Sequence, residues 1–288
     1  MRVLIVGAGG QVGRLLGATC PEGIERVAFT HAELDIGDAD AVRRTFEHVK
    51  PAAVINAAAY TAVDKAESEP ALARRINGEG PSHLAVSAAA CGARLVQVST
   101  DFVFDGTASS PYRPEAHPHP LSVYGATKLE GERAVLEALP DRSVIVRTAW
   151  VYAAHGKNFV HTMLRLMRER GAVRVVADQV GTPTAARPLA EVLWQMVIRP
   201  EIGAIHHWTD AGVASWYDFA VAIAEEGAAL GMLPSGVEVT PIATEDYPTP
   251  ARRPAYSVLD KRSLMTLGFH PAHWRQRLRE TLQEIAHG

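Results

Sequence analysis

Short β-branched segments alternate with longer alanine-rich segments through the first half of the chain, and this alternation restricts the fold more than any other feature. Near-continuous apolar runs occupy Arg2–Val6, Ala53–Asn56, Arg94–Val98 and Ser143–Arg147, and Glu25–Phe29 is a further candidate strand. Each run is too short for a helix and is bounded by glycine, proline or polar residues. Runs of this kind are typical of strands buried on both faces of a parallel sheet.

Helical patterns separate these strands, and the alternation predicts parallel βαβ units with right-handed crossovers. The fold class that we predict is therefore α/β, a Rossmann-type doubly wound parallel sheet. The predicted helices of this half are Val12–Ala18, Asp38–Val49, Ala71–Ile76, Pro81–Ala90 and Ser122–Leu139.

Prolines and turns become more frequent after Trp150, and helical patterns recur there at Phe159–Glu169, Pro188–Ile198, Ser215–Leu230 and His273–Ala286. A chain of 288 residues exceeds the usual single-core domain and fits one large domain with an appendage. We expect residues 1–150 to form a dinucleotide-binding domain and residues 151–288 to form mainly a smaller substrate-binding lobe, with later returns of the chain to the sheet allowed.

Composition excludes several classes of partner. The 29 basic residues nearly balance the 32 acidic residues and form no basic block, so we expect no nucleic-acid partner. No apolar run approaches the ~20 residues that cross a bilayer, and the apolar N-terminus leads into glycines rather than into a cleavage site. Two cysteines, Cys20 and Cys91, are too few for a disulfide scaffold. These features favour a cytoplasmic protein without a membrane partner.

A glycine-rich loop follows the first predicted strand and leads into a helix. Gly7, Gly10 and Gly13 have the spacing G-x-x-G-x-x-G. Glycine allows the tight turn and the close approach of a pyrophosphate, which the free N–H groups of the helix N-terminus then bind. A glycine-rich turn without a ligand is the alternative, but the position within a βαβ unit favours a dinucleotide.

The residues after the second strand bear on which dinucleotide binds. That position reads Phe29-Thr30-His31, with no carboxylate to repel a 2′-phosphate. We therefore expect NADPH, with NADH accepted, and Thr30 or His31 as a contact of the phosphate. Asp35 and Ile36 are expected near the adenine, although an Asp in this place can instead cap the helix that begins at Asp38.

A tyrosine and a lysine four residues apart define a candidate proton-transfer site. Tyr124 and Lys128 share one face of a predicted helix. A phenol has a pKa of about 10, and a neighbouring ammonium lowers it, so that the tyrosine can exchange a proton with a carbonyl or alcohol oxygen. Ser99 and Thr100, at the end of the Arg94–Val98 strand, supply a hydroxyl that orients this oxygen. The predicted reaction is hydride transfer between a nicotinamide and a carbonyl carbon.

In these residues the chain resembles the extended short-chain dehydrogenase/reductases and, more closely, the dTDP-4-dehydrorhamnose reductase family. The resemblance runs in order through nearly the whole chain. Its motifs are GAGGQVG at 7–13, LDI at 34–36, NAAAYTAVDKAE at 56–67, STDFVFDG at 99–106, YGATKLEGE at 124–132, RTAWVY at 147–152, NFV at 158–160, DQVGTPT at 178–184, SWYDFA at 215–220 and YPTPARRPAYSVLD at 247–260. The first and fifth are shared by the wider superfamily.

The resemblance implies a role for individual residues. Tyr124 would be the catalytic acid with Lys128 as its partner, Thr100 would orient the keto oxygen, Asp101 would contact the substrate, and Trp150 would line the sugar pocket. The substrate would be a 6-deoxy-4-keto-hexose on dTDP, reduced at C4 to dTDP-L-rhamnose. The residues implied to line the cofactor are Gly10, Gln11, Val12, Asp35, Ile36, Ala58, Ala59, Tyr60, Thr61 and Val98, beside Gly7, Gly13, His31, Tyr124 and Lys128.

Two further expectations depend on this resemblance. The basic pair Arg252-Arg253 would bind the diphosphate, because guanidinium groups pair bidentately with phosphate, and a surface pair without a ligand is the alternative. Some family members carry magnesium between subunits on glutamates that include one in the first helix. This chain has Arg14 and Leu15 there, so we predict no metal. A homodimer is compatible with the sequence.

Three alternatives remain open from the sequence. The first is an epimerase or dehydratase on the same fold, which keeps its NAD bound. The second is a non-catalytic relative that binds a dinucleotide and regulates a partner enzyme. The third is a reductase of a different nucleotide-linked keto-sugar, since pocket shape rather than any single motif selects the sugar.

Overall fold

Six parallel strands form the central sheet of the computed structural model, which describes all of residues 1–288. Their spatial order is β10-β5-β4-β3-β1-β2. The strands of the chain are β1 (Arg2–Val6), β2 (Glu25–Phe29), β3 (Ala53–Asn56), β4 (Arg94–Thr100), β5 (Ser143–Thr148), β6 (Val151–Tyr152), β7 (Ala172–Val176), β8 (Val180–Gly181), β9 (Thr184–Ala185), β10 (Ala204–His207), β11 (Ala214–Ser215) and β12 (Glu238–Ile242).

This sheet confirms the predicted α/β fold class and the five predicted strands. β4 continues past Val98 to Thr100. The hydroxyl of Thr100 and the carboxylate of Asp101, the next residue, therefore lie at the carboxyl edge of the sheet. The smaller strands pair outside the sheet, as β7 with β12, β6 with β9 and β8 with β11.

Helices cover both faces of the sheet and build the second lobe. The helices are α1 (Gln11–Ala18), α2 (Ala39–Val49), α3 (Val63–Ala66), α4 (Pro70–Arg74), α5 (Gly80–Cys91), α6 (Val123–Ala138), α7 (Phe159–Arg170), α8 (Ala186–Ile198), α9 (Trp216–Ala229), α10 (Arg262–Met265) and α11 (Trp274–His287). A π-helical turn at Arg75–Glu79 joins α4 to α5. Side-chain caps begin several of them, including Asp38 on α2, Ser122 on α6, Asn158 on α7 and Ser215 on α9.

The three largest apolar cores follow from this arrangement. One lies between the sheet and helices α1 and α8, and a second lies on the opposite face under α2, α5 and α6. The third belongs to the second lobe, where α7, α9 and α11 pack with the β7–β12 pair. The two lobes thus have separate cores, and ligands are expected at the carboxyl edge of the sheet.

The chain returns to the sheet after residue 150. Helix α8 packs on α1, and β10 pairs with β5 as the sixth strand. Arg94 of β4 fixes this return, because its buried guanidinium donates hydrogen bonds to the carbonyl oxygens of Met196, Pro200 and Ile202. The division at residue 150 stays a prediction, and the structure adds that the later segment completes the sheet.

No helix of the chain combines the length and the apolar character that crossing a membrane requires.

Candidate active site

Two of the three glycines in the glycine loop make backbone contacts too close for any side chain. Gly7 has a φ of +81°, and a Cβ there would lie 2.5 Å from the backbone nitrogen of Ala58. A Cβ at Gly13 would lie 2.1 Å from the Gly7 oxygen, whereas one at Gly10 would meet nothing closer than 3.4 Å. Gly7 and Gly13 are therefore needed for packing, while Gly10 borders free space at the start of α1.

The end of β2 carries a carboxylate that the sequence reasoning missed. The backbone nitrogen and the hydroxyl of Thr30 both donate to one oxygen of Glu33, each at 2.8 Å. The hydrogen bond from the Thr30 backbone is the main cause that lowers the pKa of Glu33. Glu33 escaped notice because it lies in the following turn, which folds back on the strand. His31 is exposed and its side chain makes no hydrogen bond.

Asp35 and Ile36 occupy defined positions at the same edge. The Asp35 carboxylate accepts from the Gly37 backbone at 2.9 Å and from Arg75 Nη1 at 2.7 Å. The cap of α2 is Asp38, which accepts from Ala41, so Asp35 does not serve that role. Ile36 is buried. The adenine contact of both residues stays a prediction.

Two asparagines shape the segment that follows β3. Asn56 is buried, donates to Gln97 at 2.7 Å and accepts from the Ala58 backbone at 3.0 Å. Asn77 accepts from the backbone nitrogen of Tyr60 at 2.9 Å and donates to its oxygen at 3.1 Å. These bonds fix the backbone at Ala58 and Tyr60, within the segment where the resemblance expects the cofactor.

Helix α6 starts close to the carboxyl end of β4. Its first backbone N–H groups are bound by side chains, with Val123 donating to Glu67 at 2.9 Å and Gly125 donating to Ser122 at 3.2 Å. A Cβ at Gly125 would lie 2.1 Å from the Phe102 oxygen. Glycine at this position therefore allows the helix to approach the strand end, which brings Tyr124 to Thr100.

The Thr100 hydroxyl contacts the Tyr124 phenol, and Lys128 lies one turn further along α6, but the phenol is not acidified in the protein alone. Burial raises the pKa of Tyr124 to about 12, the Asp101 charge adds to this, and the Thr100 hydroxyl acts in the opposite direction. Lys128 is buried and donates to the Val98 oxygen at 2.7 Å, and burial lowers its pKa to about 8. A lowering of the phenol pKa by Lys128 is not found in the protein alone, where burial is the largest effect on Tyr124, and such a lowering in the complex with the nicotinamide stays a prediction.

Asp101 is buried beside Thr100. Its carboxylate accepts from the Thr100 hydroxyl at 3.0 Å. Burial raises the pKa of Asp101 to about 6, and hydrogen bonds from Ser257 and Thr100 partly offset the effect. A buried carboxylate with an elevated pKa at a sheet edge is typical of a functional site.

Two stacked tryptophans form the side of the site towards the second lobe. Trp150 has a φ of +50° and stacks on Trp216 with ring centroids 3.6 Å apart and planes at 8°. A Cβ at Gly181 would lie 2.8 Å from the Trp150 ring and 2.9 Å from the Ser257 hydroxyl. Contacts therefore lead from the tryptophan pair through Gly181 and Ser257 to Asp101. A positive φ in a residue other than glycine is a strained backbone conformation that occurs often at functional sites.

A cavity of about 820 Å³ continues from Trp216 between α7 and the β7–β12 pair. Its wall is mainly apolar with a few charged groups. Residues that line it include Phe159, Met163, Leu166, Arg174, Gln179, Trp216, Tyr247 and Arg253. Most of these were not singled out from the sequence, because they come from four separate segments of the second lobe.

The two members of the basic pair occupy different environments. Arg253 lines the cavity and forms an ion pair with Asp64 at 2.8 Å, which is the main cause that lowers the pKa of that carboxyl. Arg252 is exposed and does not line the cavity. The structure therefore brings only Arg253 to the site. No group of three or more His, Cys, Asp or Glu side chains is placed to hold a metal ion, and the absence of a metal stays a prediction.

A glycine loop on a doubly wound sheet, together with Thr100, Tyr124 and Lys128 at one edge, defines the class of extended short-chain dehydrogenase/reductases. The family model described as RmlD substrate binding domain matches residues 1–287, and the chain belongs to the dTDP-4-dehydrorhamnose reductase family. The dTDP-4-dehydrorhamnose reductase of Streptomyces griseus is 45% identical over 290 residues, covering 99% of this chain and 94% of its own.

Solved structures agree with this assignment. A dTDP-4-dehydrorhamnose reductase of Clostridium acetobutylicum superposes with a TM-score of 0.94 at 43% identity, covering 99% of both chains. The enzyme of Bacillus anthracis, in complex with NADP, superposes with a TM-score of 0.92 at 36% identity, covering 98% of this chain and 99% of its own.

Proposed function

We propose that this protein reduces the C4 keto group of dTDP-4-dehydro-6-deoxy-L-mannose, which is dTDP-4-dehydro-L-rhamnose, to dTDP-L-rhamnose. NADPH is the reductant and NADH is also accepted. The observation that supports the proposal is the contact of Tyr124 with Thr100 at the carboxyl end of β4, with Lys128 of the same helix bound to Val98 of that strand. The enzyme acts in the cytoplasm on a dTDP-linked sugar, and a homodimer is the assembly we propose.

The residues present fit a dinucleotide. The space beside Gly10 and the N-terminus of α1 would hold the pyrophosphate, with the backbone groups of Gln11 and Val12 as donors. Residues 58–61 would lie along the remainder of the cofactor. When bound there, the reduced nicotinamide supplies the hydride that the keto carbon accepts.

Tyr124 holds the proton that the reduction requires at its phenolic oxygen. With a pKa of about 12 in the protein alone, the phenol stays protonated at neutral pH, and an acid must be protonated before it donates. Thr100 orients the keto oxygen towards this phenol. Lys128 ties α6 to β4 through Val98, so the tyrosine stays at a fixed position relative to the strand end.

The second lobe supplies recognition. Trp150 would contact the sugar, and Asp101 would accept a hydrogen bond from one of its hydroxyls. The cavity beyond Trp216 would hold the nucleotide against the rings of Trp216 and Phe159, with Arg253 as the cation for the diphosphate.

The test is an assay of the purified protein with NADPH and dTDP-4-dehydro-6-deoxy-L-mannose generated in situ by upstream enzymes. We expect consumption of one NADPH for each dTDP-L-rhamnose, with the product identified by NMR. An epimerase would convert the sugar without net consumption of NADPH. A regulatory subunit would bind the dinucleotide without turnover, and a reductase of another sugar would oxidise NADPH only with a different keto-sugar nucleotide.

A further inference from the structure

Arg253 lines the cavity, and one end of its guanidinium forms an ion pair with Asp64, a carboxylate of the first lobe. Its Nη1 and Nη2 atoms donate to the two oxygens of Asp64 at 3.0 and 2.8 Å, in a parallel two-point arrangement. Its Nη1 also donates to the Ala251 oxygen at 3.1 Å and to the Thr249 hydroxyl. The guanidinium is thus held by several bonds on one side.

The other side of the guanidinium remains available. Arg253 Nε makes no hydrogen bond, and a guanidinium has five N–H donors in a fixed plane. The side chain is 24% exposed and lines the cavity. Asp64 therefore orients the group without using the Nε side that a second anion would need.

Asp64 belongs to a segment that holds three parts of the site together. It lies on α3, directly after residues 58–61, whose backbone is fixed by Asn77. Asp64 accepts from the Ala251 backbone at 3.2 Å, so it also fixes the loop that carries Arg253. Glu67, on the same segment, binds the first N–H group of α6, the helix of Tyr124.

We propose that Asp64 is a positioning residue for Arg253, and that it sets the guanidinium to bind the diphosphate of the sugar nucleotide. This inference rests on the proposed function and extends it to a residue that does not itself touch the substrate. An Asp64 that only competed with the diphosphate for Arg253 would give the opposite behaviour, because its removal would release the cation and improve binding.

The experiment measures dTDP binding without turnover, by titration of tryptophan fluorescence in the full-length protein. We expect D64N to weaken dTDP binding about tenfold, since an orienting charge-assisted pair is lost, while NADPH binding stays within about twofold. D64E should recover part of the affinity. In turnover, D64N should raise KM for the sugar nucleotide with little change in kcat. The matched control is E47Q, which breaks an exposed Arg43 pair on α2.

Each outcome has one meaning. Unchanged or tighter dTDP binding by a folded D64N, with an unfolding midpoint close to that of the unmodified chain, overturns the inference. If D64N fails to fold, D64E and R253Q provide the test instead. Both variants should bind dTDP more weakly than the unmodified chain does, and unchanged binding by R253Q overturns the inference. Absence of dTDP binding by the unmodified chain overturns the proposed function itself.

Discussion

The two walls of the site are built in different ways. The catalytic wall comes from the ends of adjacent strands and one helix, where Thr100, Tyr124 and Lys128 are fixed by short local contacts. The cavity wall comes from segments far apart in the chain, joined by the Trp150–Trp216 stack and the Asp64–Arg253 pair. The proposed chemistry thus depends on local geometry at the sheet edge, and the proposed recognition depends on tertiary packing. Substitutions should therefore affect kcat at the first wall and KM at the second.

Removing the phenol hydroxyl should give the largest effect. Tyr124→Phe should reduce kcat by about 10²–10⁴, the usual contribution of a positioned acid, because the variant lacks the phenolic proton. Binding of NADPH, measured by fluorescence, should change little. Turnover close to that of the unmodified enzyme would contradict the role of Tyr124.

Breaking the buried ion pair between α6 and β5 should lower the free energy of unfolding. Glu132 of α6 and Arg147 of β5 pair at 2.7 Å with both side chains only 2% exposed. Glu132→Ala should lower the free energy of unfolding by about 3–5 kcal/mol, because Arg147 would remain buried and unpaired. Denaturant unfolding measures this. Glu130→Ala, on the same helix but in an exposed pair with Arg74, is the control and should cost at most about 1 kcal/mol. An equal loss of free energy of unfolding in the two variants would contradict a dependence on burial of the ion pair.

Asp101 should give the catalytic wall a pH dependence. Because burial raises its folded pKa to about 6, above about 4 in the unfolded chain, the folded state binds the proton more tightly. The resulting stability is fully present below pH about 4 and is lost as pH rises through about 6. Asp101→Asn removes this titrating carboxyl. Between pH about 4 and pH about 6, the free energy of unfolding of the unmodified chain should therefore fall by roughly 2–3 kcal/mol relative to that of the variant. A constant difference between the two chains would contradict the prediction.

Removing one ring of the tryptophan stack should give the smallest effect, and it should appear in KM. Trp216→Ala should raise KM for the sugar nucleotide about three- to tenfold, from the loss of one aromatic contact, with a smaller change in kcat. It should also abolish the circular dichroism band of the coupled indoles. Trp216→Phe should recover part of the affinity. A selective loss of kcat would place Trp216 in the catalytic wall instead.

The same contrast explains what the sequence could reveal. The glycine loop, the strand-end Thr100 and the Tyr124/Lys128 pair lie within single elements, where spacing and periodicity are informative. The Trp216 stack and the Asp64–Arg253 pair join residues over 60 positions apart, and no local pattern indicates such contacts. Arg252 and Arg253 look equivalent in sequence, and only tertiary packing separates them.

Electrostatics could be predicted only in part. The spacing of Tyr124 and Lys128 on one helix is visible in the sequence, but the pKa of the phenol depends on how deeply it is buried and on the neighbouring charge of Asp101. The position of Glu33 could not be predicted either, because the turn after β2 folds back and brings this carboxylate to Thr30 at the strand end. Burial and turn geometry are properties of the folded chain.

The most direct test of the central claim uses NADPH that carries deuterium on the transferring face of its nicotinamide C4, with the keto-sugar nucleotide as substrate. If Tyr124 and Thr100 hold the ketone opposite the reduced ring, the dTDP-L-rhamnose product will carry one deuterium bonded to C4 of the sugar, and its hydroxyl proton will come from solvent through the phenol. A reduced product without deuterium at that carbon, or oxidation of NADPH without a reduced sugar, would contradict the account.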